Sequence, residues 1–317
     1  MTDLRSGSVP VDTGELYVIA GADQPVNVRR PDTFNTLVRH FPSFGCDDVS
    51  PIGNAAVENG TLWYEAAGDG PAVIFIHPGL WDARAWDAQF EPFAERYAVL
   101  RYDVRGYGRS SRPDPAVPYS HVRDLVAVME ASGIERGAIV GCSLGGAIAL
   151  DVALSHPGMV TALVLAAPMV DGVERTPEDE AWFEERLSSL EEAIALGDLE
   201  RARRMQLRIW APLGIDDPNG RRIFELSMDN IHELTMDESG AEDLDPPAAV
   251  RLAEIDVPTL VLPADHDPPL FQRMSATVAN GIPGARVVHL PDVDHAIPMR
   301  APDAFNEAVL AFLDEVL

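Results

Sequence analysis

The sequence predicts an α/β fold, in which a twisted, mostly parallel β-sheet carries helices on both faces and a helical cap is inserted between two of the later strands. From residue 55 onward, apolar runs alternate with segments of helical periodicity, as in βαβ units. The runs are continuously apolar, as in AVIFIH (72–77), which is typical of parallel strands buried on both faces. Between residues 171 and 247 the strand pattern stops and charged helical segments replace it.

The predicted elements follow one another in a regular order. The strand segments are TLWYEAA (61–67), AVIFIH (72–77), AVLRYD (98–103), GAIVG (137–141), VTALVLAAP (160–168), PTLVLPAD (258–265) and ARVVHL (285–290). The helical segments of the core are WDAQFEPFAERY (86–97), SHVRDLVAVMEAS (120–132), AIALDVALSH (147–156), 272–279 and 301–317. We therefore assign residues 55–170 and 248–317 to the core and residues 171–247 to the helical cap.

Residues 1–54 are predicted to be an N-terminal extension whose structure the sequence does not define. Within it, VDTGELYVIAG (11–21) is similar to VENGTLWYEAA (57–67). Two interpretations are open: a chance match between two hairpin-like turns, or an extra β-hairpin added to the sheet edge or to a partner.

The composition excludes several classes of function. The 317-residue chain has a formal net charge of −27, and such an acidic surface repels nucleic-acid phosphates and anionic lipid head groups. All 24 basic residues are arginine, which excludes a Walker-type lysine, a lysine Schiff base and a Ser–Lys dyad. We expect neither nucleic acid nor a membrane as a partner.

No segment of the sequence indicates a leader, a membrane anchor or a bound group. The first residues lack a basic stretch followed by an apolar one, and no apolar run reaches about 18 residues, so a cytoplasmic location is expected. Cys46 and Cys142 form neither a metal-ligand spacing nor a disulfide framework, and no H-E-x-x-H cluster occurs. We expect no metal and no organic cofactor.

The segment Gly141–Gly145 (GCSLG) fits the pattern G-x-S-x-G, with a predicted strand before it and a helix after it. A sharp strand-to-helix turn lifts a serine hydroxyl clear of the backbone, and the flanking glycines prevent collisions within the turn. The following helix N-terminus stabilises negative charge that develops there. The pattern thus predicts Ser143 as a nucleophile; the alternative is a serine that only caps the helix.

A serine nucleophile needs a base, and the base needs an orienting acid. His295 lies between the last predicted strand and the last helix, and Asp267 follows the preceding strand. The chain order Ser143, Asp267, His295 is the one expected for this motif. Asp265, after the same strand, and Asp171, after the earlier one, compete with Asp267 for the role of the acid.

From about residue 57 to the C-terminus, the sequence resembles the α/β-hydrolase superfamily, in particular its small esterase and lactonase-like members. The stretches that carry the resemblance, besides the serine turn, are IHPGLWDARAW (76–86), YDVRGYGRSSRP (102–113), ADHDPP (264–269) and DHAIPMRAPDAFN (294–306). The resemblance implies Asp267 as the acid. It also implies the backbone N–H groups of Gly79 and Leu144 as the oxyanion hole, with Leu80 as a substitute for Gly79.

Two residues depart from the family pattern. The family usually has glycine at two positions where this chain differs. Pro78 directly precedes the implied oxyanion donor Gly79, and Asp294 directly precedes the implied catalytic histidine, His295. Pro78 has no N–H to donate. Asp294 would either act electrostatically on His295 or face water, and we expect that it faces water.

The other polar residues of these motifs are interpreted structurally. We expect His77 to shape its loop, Asp103 and Arg105 to fix the loop after their strand, and His266 to be exposed. His156 is expected to close a helix.

The reaction that the resemblance implies is hydrolysis of a small-molecule carboxylic ester or lactone through an acyl-enzyme. Trp182, Trp210 and Met228 are candidate substrate-binding residues of the cap, and Phe183 and Met205 are further apolar candidates. Other chemistry on the same triad (C–C bond hydrolysis, amide hydrolysis, perhydrolysis) and a ligand-binding protein without turnover remain alternatives. The oligomeric state is open, and a homodimer is compatible with the sequence.

Overall fold

The computed structural model describes residues 8–10, 16–18 and 52–317 of the chain. The chain divides into two compact units, residues 1–47 and 48–317. In the first unit, strands β1 (Ser8–Pro10) and β2 (Leu16–Val18) pair antiparallel. Most of the segment 11–21, whose likeness to 57–67 was noted above, lies outside the described residues, as does Cys46.

The second unit contains an eight-stranded sheet with the order β10-β9-β8-β7-β5-β6-β4-β3. Its strands are β3 (Ile52–Val57), β4 (Gly60–Ala67), β5 (Ala72–Ile76), β6 (Ala98–Tyr102), β7 (Gly137–Cys142), β8 (Val160–Ala166), β9 (Thr259–Leu262) and β10 (Arg286–Val287). Strands β5 to β10 run parallel, whereas β3 and β4 are antiparallel to their neighbours.

Strand β3 begins at Ile52, inside the segment predicted as the extension. It pairs with β4 through a tight turn in which Val57 lies opposite Gly60 and Asn59 has a φ of +58°. The strand was not predicted because small and polar residues such as Gly53 and Asn54 have low β-propensity. Pairing with a neighbour overrides this local preference.

Nine α-helices occur in the described part of the chain. They are α1 (Asp87–Ala94), α2 (His121–Ser132), α3 (Leu144–Ser155), α4 (Pro177–Ala195), α5 (Leu199–Trp210), α6 (Pro218–Asp229), α7 (Pro269–Gly281), α8 (Ile297–Arg300) and α9 (Pro302–Val316). No helix of residues 52–317 is both long enough and apolar enough to cross a bilayer.

Apolar side chains cover both faces of the sheet. On one face, Ile74 and Ile76 of β5 pack in a cluster with residues of α2, α3 and α7. On the other face, Val73 and Phe75 of the same strand pack with residues of α1 and α9. This two-sided burial explains the continuous apolar runs and confirms the predicted fold class.

Residues 171–247 leave the sheet after β8 and return before β9, and they hold helices α4, α5 and α6. A capping box opens α4: the Thr176 hydroxyl accepts from the Asp179 N–H, and the Asp179 carboxylate accepts from the Thr176 N–H. Asp198 and Asp217 are the N-caps of α5 and α6, and each side chain accepts one backbone N–H of the first turn. We call residues 171–247 the insertion from here on.

Candidate active site

Ser143 lies in the turn between the end of β7 at Cys142 and the start of α3 at Leu144. Its φ is +53° and its ψ is −113°, a conformation that costs energy for any residue other than glycine. The turn is held by the Ser143 N–H, which donates to Ala166 O at 3.0 Å, and by the Ser143 carbonyl, which accepts from Met169 N at 3.1 Å. Such strain persists only where the surroundings enforce it.

The glycines of the motif leave room for this turn. A Cβ added to Gly145 would overlap the carbonyl oxygen of Ile76 on the neighbouring strand β5. A Cβ added to Gly141 would overlap the backbone of Gly145 itself. The G-x-S-x-G spacing is therefore a steric requirement of placing helix α3 this close to the sheet.

His295 and Asp267 form a buried pair. His295 Nδ1 lies 2.7 Å from Asp267 Oδ1, and the His295 and Asp267 side chains are 3% and 0% exposed. The side-chain amide of Gln272 donates to the carbonyls of Asp265 and Asp267, both at 3.0 Å, and so braces the loop after β9. An acid held in this way selects the imidazole tautomer with its proton on Nδ1.

The two competing aspartates make other contacts. Asp265 is exposed, and its Oδ2 accepts from the Asp292 N–H at 3.0 Å. Asp171 is half-buried, and burial together with the carboxylate of Asp243 raises the pKa of Asp171. Of the three candidate acids, Asp267 is the one that is hydrogen-bonded to His295 in the described part of the chain.

Ser143 is 8% exposed and lies beside the His295 loop. The neighbouring Cys142 thiol donates to the carbonyl oxygen of His295 at an S···O distance of 3.6 Å. Within residues 52–317, no hydrogen bond joins Ser143 Oγ to His295 Nε2. In enzymes without substrate this contact is often long and tightens only when the substrate binds.

The predicted oxyanion donors lie at the ends of β5 and β7. The Leu144 N–H is the first of helix α3, so it has no acceptor within the helix. Neither this N–H nor that of Gly79 has a hydrogen-bond acceptor among residues 52–317. Leu80 has a φ of +72°, which marks the loop after β5 as a constrained turn. A Cβ on Gly79 would lie 3.6 Å from the Tyr107 hydroxyl, so Tyr107 borders this loop.

Aromatic rings enclose the imidazole of His295. The Trp210 ring centroid lies 4.7 Å from that of His295, and the Phe271 ring meets the imidazole edge-on at 5.2 Å. Trp210 was predicted as a lining residue from the sequence, whereas Phe271 was not. The sequence signal for Phe271 is its position four residues after Asp267, just beyond the Pro268–Pro269 pair, which keeps it close to the acid.

The other candidate lining residues lie in different surroundings. Trp182 packs edge-on against Phe183, with the Arg186 guanidinium 4.1 Å from the centre of its ring. Met205 packs in a small cluster within the insertion. Met228 is half-buried on α6. Substrate contact by these residues stays a prediction.

Asp294 does not face water, as the sequence led us to expect. Its carboxylate is fully buried and pairs with Arg300, whose Nη2 lies 2.8 Å from Oδ2. The expectation was wrong because Arg300, at the end of α8, pairs with Asp294 and also contacts Gly214 and Asp217 of the insertion, and the sequence pattern does not reveal these contacts.

His77 shapes its loop, as predicted. Nδ1 donates to the carbonyl of Pro78 at 2.8 Å, and Nε2 accepts from the Val104 N–H at 2.9 Å. Burial lowers the pKa of His77, so the ring is neutral and its two nitrogens have fixed roles. Asp103 accepts from the N–H groups of Ala83 and Arg109 and thereby ties the two loops that border the site.

Arg105, His266 and His156 also follow expectation. Arg105 forms a buried two-pronged pair with Asp124. His266 is exposed, and His156 is the C-cap of α3. Groups of three or more potential metal ligands do not occur in the described part of the chain.

The family model described as "alpha/beta hydrolase fold" matches residues 71–302. The chain belongs to the α/β hydrolase family. The matched region includes the turn at Ser143, Asp267 and His295. The structure agrees with this match: it has an eight-stranded sheet with two antiparallel strands at one edge, and Ser143 lies between a strand and a helix.

Individual relatives of this α/β hydrolase are similar over most of their length. A protein named carbamate hydrolase RutD from Azorhizobium caulinodans is 30% identical over 269 residues, which cover 80% of this chain and 96% of the relative. Rhodomycin D methylesterase DauP from a Streptomyces species is 29% identical over 290 residues, covering 79% of this chain and 94% of that protein.

Two solved structures extend the comparison. A hydrolase from Pseudomonas aeruginosa is 29% identical with a TM-score of 0.69, and covers 84% of this chain and 99% of its own. Est816, described as an N-acyl homoserine lactone degrading enzyme, is 26% identical with a TM-score of 0.62, and covers 82% of this chain and 99% of its own. Proteins whose names give different substrates are thus similar to this chain at 26%, 29% and 30% identity.

Proposed function

We propose that this α/β hydrolase cleaves a carboxylic ester or a lactone of a small molecule through an acyl-enzyme formed on Ser143. The observation that carries the proposal is the combination of a serine held at a φ of +53° with a buried His295–Asp267 pair on the adjacent loops. Strained backbone conformations cluster at functional sites, and this turn is the one that presents a serine hydroxyl to a base in the G-x-S-x-G motif.

The proposed chemistry assigns one role to each group. Ser143 Oγ attacks the carbonyl carbon while its proton passes to His295 Nε2, and a C–O bond forms as the carbonyl π-electrons move onto oxygen. The Asp267 carboxylate stabilises the imidazolium through Nδ1–H. The N–H groups of Gly79 and Leu144 then donate to the oxyanion, each contributing about 3 kcal/mol.

Collapse of the tetrahedral intermediate breaks the bond to the leaving alkoxide, which takes the proton from His295 and departs as an alcohol. Water then attacks the acyl-enzyme with His295 as base, and release of the acid restores Ser143. In a lactone the alcohol and the acid belong to one molecule, so the product is a hydroxy acid. Trp210 and Phe271 form the apolar wall nearest to this chemistry.

A carbamate is a second candidate substrate, and the relative named carbamate hydrolase favours it. The same nucleophile, base and oxyanion donors act on a carbamate carbonyl. The two substrates differ in the group that leaves and in the resonance stabilisation of the carbonyl, so the choice depends on pocket contacts and has to be measured.

The test begins with a fluorophosphonate probe, which reacts rapidly only with an activated serine. We expect rapid labelling of the wild-type protein and none of Ser143→Ala, with unchanged circular dichroism. Labelling that persists in Ser143→Ala contradicts the nucleophile assignment, and its absence in the wild type favours a ligand-binding protein.

A panel of p-nitrophenyl esters of graded chain length, aliphatic lactones and aryl carbamates then identifies the reaction. We expect kcat/KM to be highest for an ester or a lactone, and Ser143→Ala to retain less than a tenth of it. Higher kcat/KM for carbamates than for every ester and lactone would move the assignment to the second candidate.

A further inference from the structure

Asp294 and Arg300 belong to the same short segment as His295. Asp294 directly precedes it, and Arg300 is the last residue of helix α8, which starts at Ile297. Arg300 Nη2 lies 2.8 Å from Asp294 Oδ2, and Nε lies 3.2 Å from the same oxygen. Asp294 is fully buried and the Arg300 side chain is 9% exposed, so solvent screens this pair little.

The same guanidinium reaches the insertion. Arg300 Nη2 also donates to the carbonyl of Gly214 at 2.9 Å, and Nη1 lies 3.3 Å from the carboxylate of Asp217, the N-cap of α6. In return, the side-chain amide of Asn219 donates to the Arg300 carbonyl at 3.1 Å. One residue therefore fixes the turn between α5 and α6 to the loop that carries His295.

Trp210 is the last residue of α5, directly before this turn. The Ala211 N–H donates to Leu207 O at 2.7 Å and the Gly214 N–H donates to Ala211 O at 3.0 Å, so two backbone hydrogen bonds tie the turn that follows Trp210. The Trp210 indole lies 4.7 Å from the His295 ring. Arg300 thus contacts Gly214, four residues after Trp210, and Asp294, directly before His295.

Apolar packing also joins these elements, since Trp210 packs against a cluster that includes Ala211, Ala296 and Met299. The hydrophobic effect that drives such packing is non-directional. The planar fork of an arginine, bound to a carboxylate and a carbonyl in fixed directions, adds directional contacts between the same elements.

We propose that Arg300 is a positioning residue that fixes the Trp210 indole against the His295 imidazole and thereby sets the substrate-size selectivity of the site. The proposal rests on the proposed ester or lactone hydrolysis for its selectivity readout. In this chain the Asp294 carboxylate, at a position where the family usually has glycine, holds Arg300 through the buried ion pair.

The test compares Arg300→Lys with Trp210→Ala and with the double variant. Lysine keeps a positive charge near Asp294 but cannot hold Gly214, Asp217 and Asp294 together, because it lacks the planar fork. The readout is the ratio of kcat/KM for p-nitrophenyl octanoate to that for p-nitrophenyl acetate. We expect Arg300→Lys to shift this ratio in the same direction as Trp210→Ala, by about threefold or more, and to add no further shift in the Trp210→Ala background.

Arg222→Gln is the matched control. It also breaks an ion pair between the insertion and the core, with Asp87 at 2.7 Å, but both partners are more than 40% exposed and remote in sequence from His295. We expect no change in the ratio. If Arg300→Lys is poorly folded, Asp217→Asn replaces it, because asparagine still caps α6 but loses the ion pair with Arg300.

Equal losses on both esters in Arg300→Lys, or a ratio shift that simply adds to that of Trp210→Ala, would overturn the proposal and leave Arg300 as a stabilising residue. A second readout does not depend on hydrolysis. Among the protein's five tryptophans, Trp210 is the one whose ring contacts a histidine ring in the described structure, and an indole fixed against another ring gives a near-ultraviolet circular dichroism signal.

We therefore expect a near-ultraviolet circular dichroism signal from the packed Trp210 indole in the wild type, its loss in Trp210→Ala and its weakening in Arg300→Lys. A signal of wild-type size in Arg300→Lys contradicts the positioning role even if the protein hydrolyses no ester. Conversely, a weakened signal without any ester turnover supports the positioning of Trp210 and overturns only the proposed function.

Discussion

The imidazole of His295 and the carboxylate of Asp267 are joined by a hydrogen bond of 2.7 Å between Nδ1 and Oδ1, and both side chains are buried. An acid in this position holds the base in the tautomer that leaves Nε2 free to accept a proton. The loops after β9 and β10 bring the two residues together although 28 positions separate them in the chain.

The first prediction concerns this acid. Asp267→Asn should lower kcat by orders of magnitude, on the scale of ~10⁴, because an amide stabilises the wrong imidazole tautomer. Asp265→Asn and Asp171→Asn should cost far less, since neither carboxylate contacts His295. Steady-state kinetics on the best substrate measures this, and a crippled Asp171→Asn beside a mildly affected Asp267→Asn would assign the acid to the earlier strand.

The second prediction concerns the serine turn. Gly145→Ala should lower the free energy of unfolding by about 3 kcal/mol, because the added Cβ overlaps the backbone of β5 and neither element can shift without disturbing the sheet. Gly158→Ala is the control, since nothing lies within 4 Å of the Cβ position there. Urea unfolding measures both, and equal stabilities of the two variants would show that helix α3 can move away from the sheet.

The third prediction concerns the wall over His295. Trp210→Ala should change the preference among p-nitrophenyl esters of different chain length more than it changes the rate on the smallest ester, because the indole borders the imidazole. Leu196→Ala, which also shortens an apolar side chain of the insertion, should leave the preference unchanged, since Leu196 is exposed at the end of α4. A uniform loss on all esters in Trp210→Ala would instead mark Trp210 as ordinary packing.

The fourth prediction concerns the pH dependence of stability. Burial, reinforced by the carboxylates of Asp171 and Asp243, raises the pKa of Asp151 on α3 to about 7 from an ordinary value of 3.8. A carboxyl with a raised folded-state pKa binds more protons when folded than when unfolded. Its contribution to the free energy of unfolding is therefore most favourable below about pH 4 and falls as the pH rises to about 7.

Asp151→Asn removes this titration, so above pH 7 the variant should be more stable than the wild type by roughly 1–2 kcal/mol. The difference should vanish below about pH 4. Urea unfolding of both proteins between pH 4 and pH 8 measures it, with the exposed Asp69→Asn as the control. A difference that does not change with pH would mean that the pKa of Asp151 is the same in the folded and the unfolded protein.

The sequence alone determined the fold class and the candidate nucleophile, because both depend on local patterns. Continuously apolar strands such as AVIFI indicate burial on both faces of a sheet. The glycines around Ser143 indicate a turn with no room for side chains at their positions. Strand β3 escaped this reasoning because its small residues are held in the sheet only by pairing with β4.

Tertiary structure decided the matters that depend on contacts between distant segments. Three aspartates compete for the role of the acid in the sequence, where the family resemblance alone favours Asp267, and in the structure Asp267 is the one that is hydrogen-bonded to His295. Asp294 turned out to be buried because Arg300 pairs with it, and Phe271 borders the imidazole because α7 begins beside the site. Sequence periodicity records which face of an element is buried, whereas the partner of a buried charge or ring is fixed only when the loops are folded against one another.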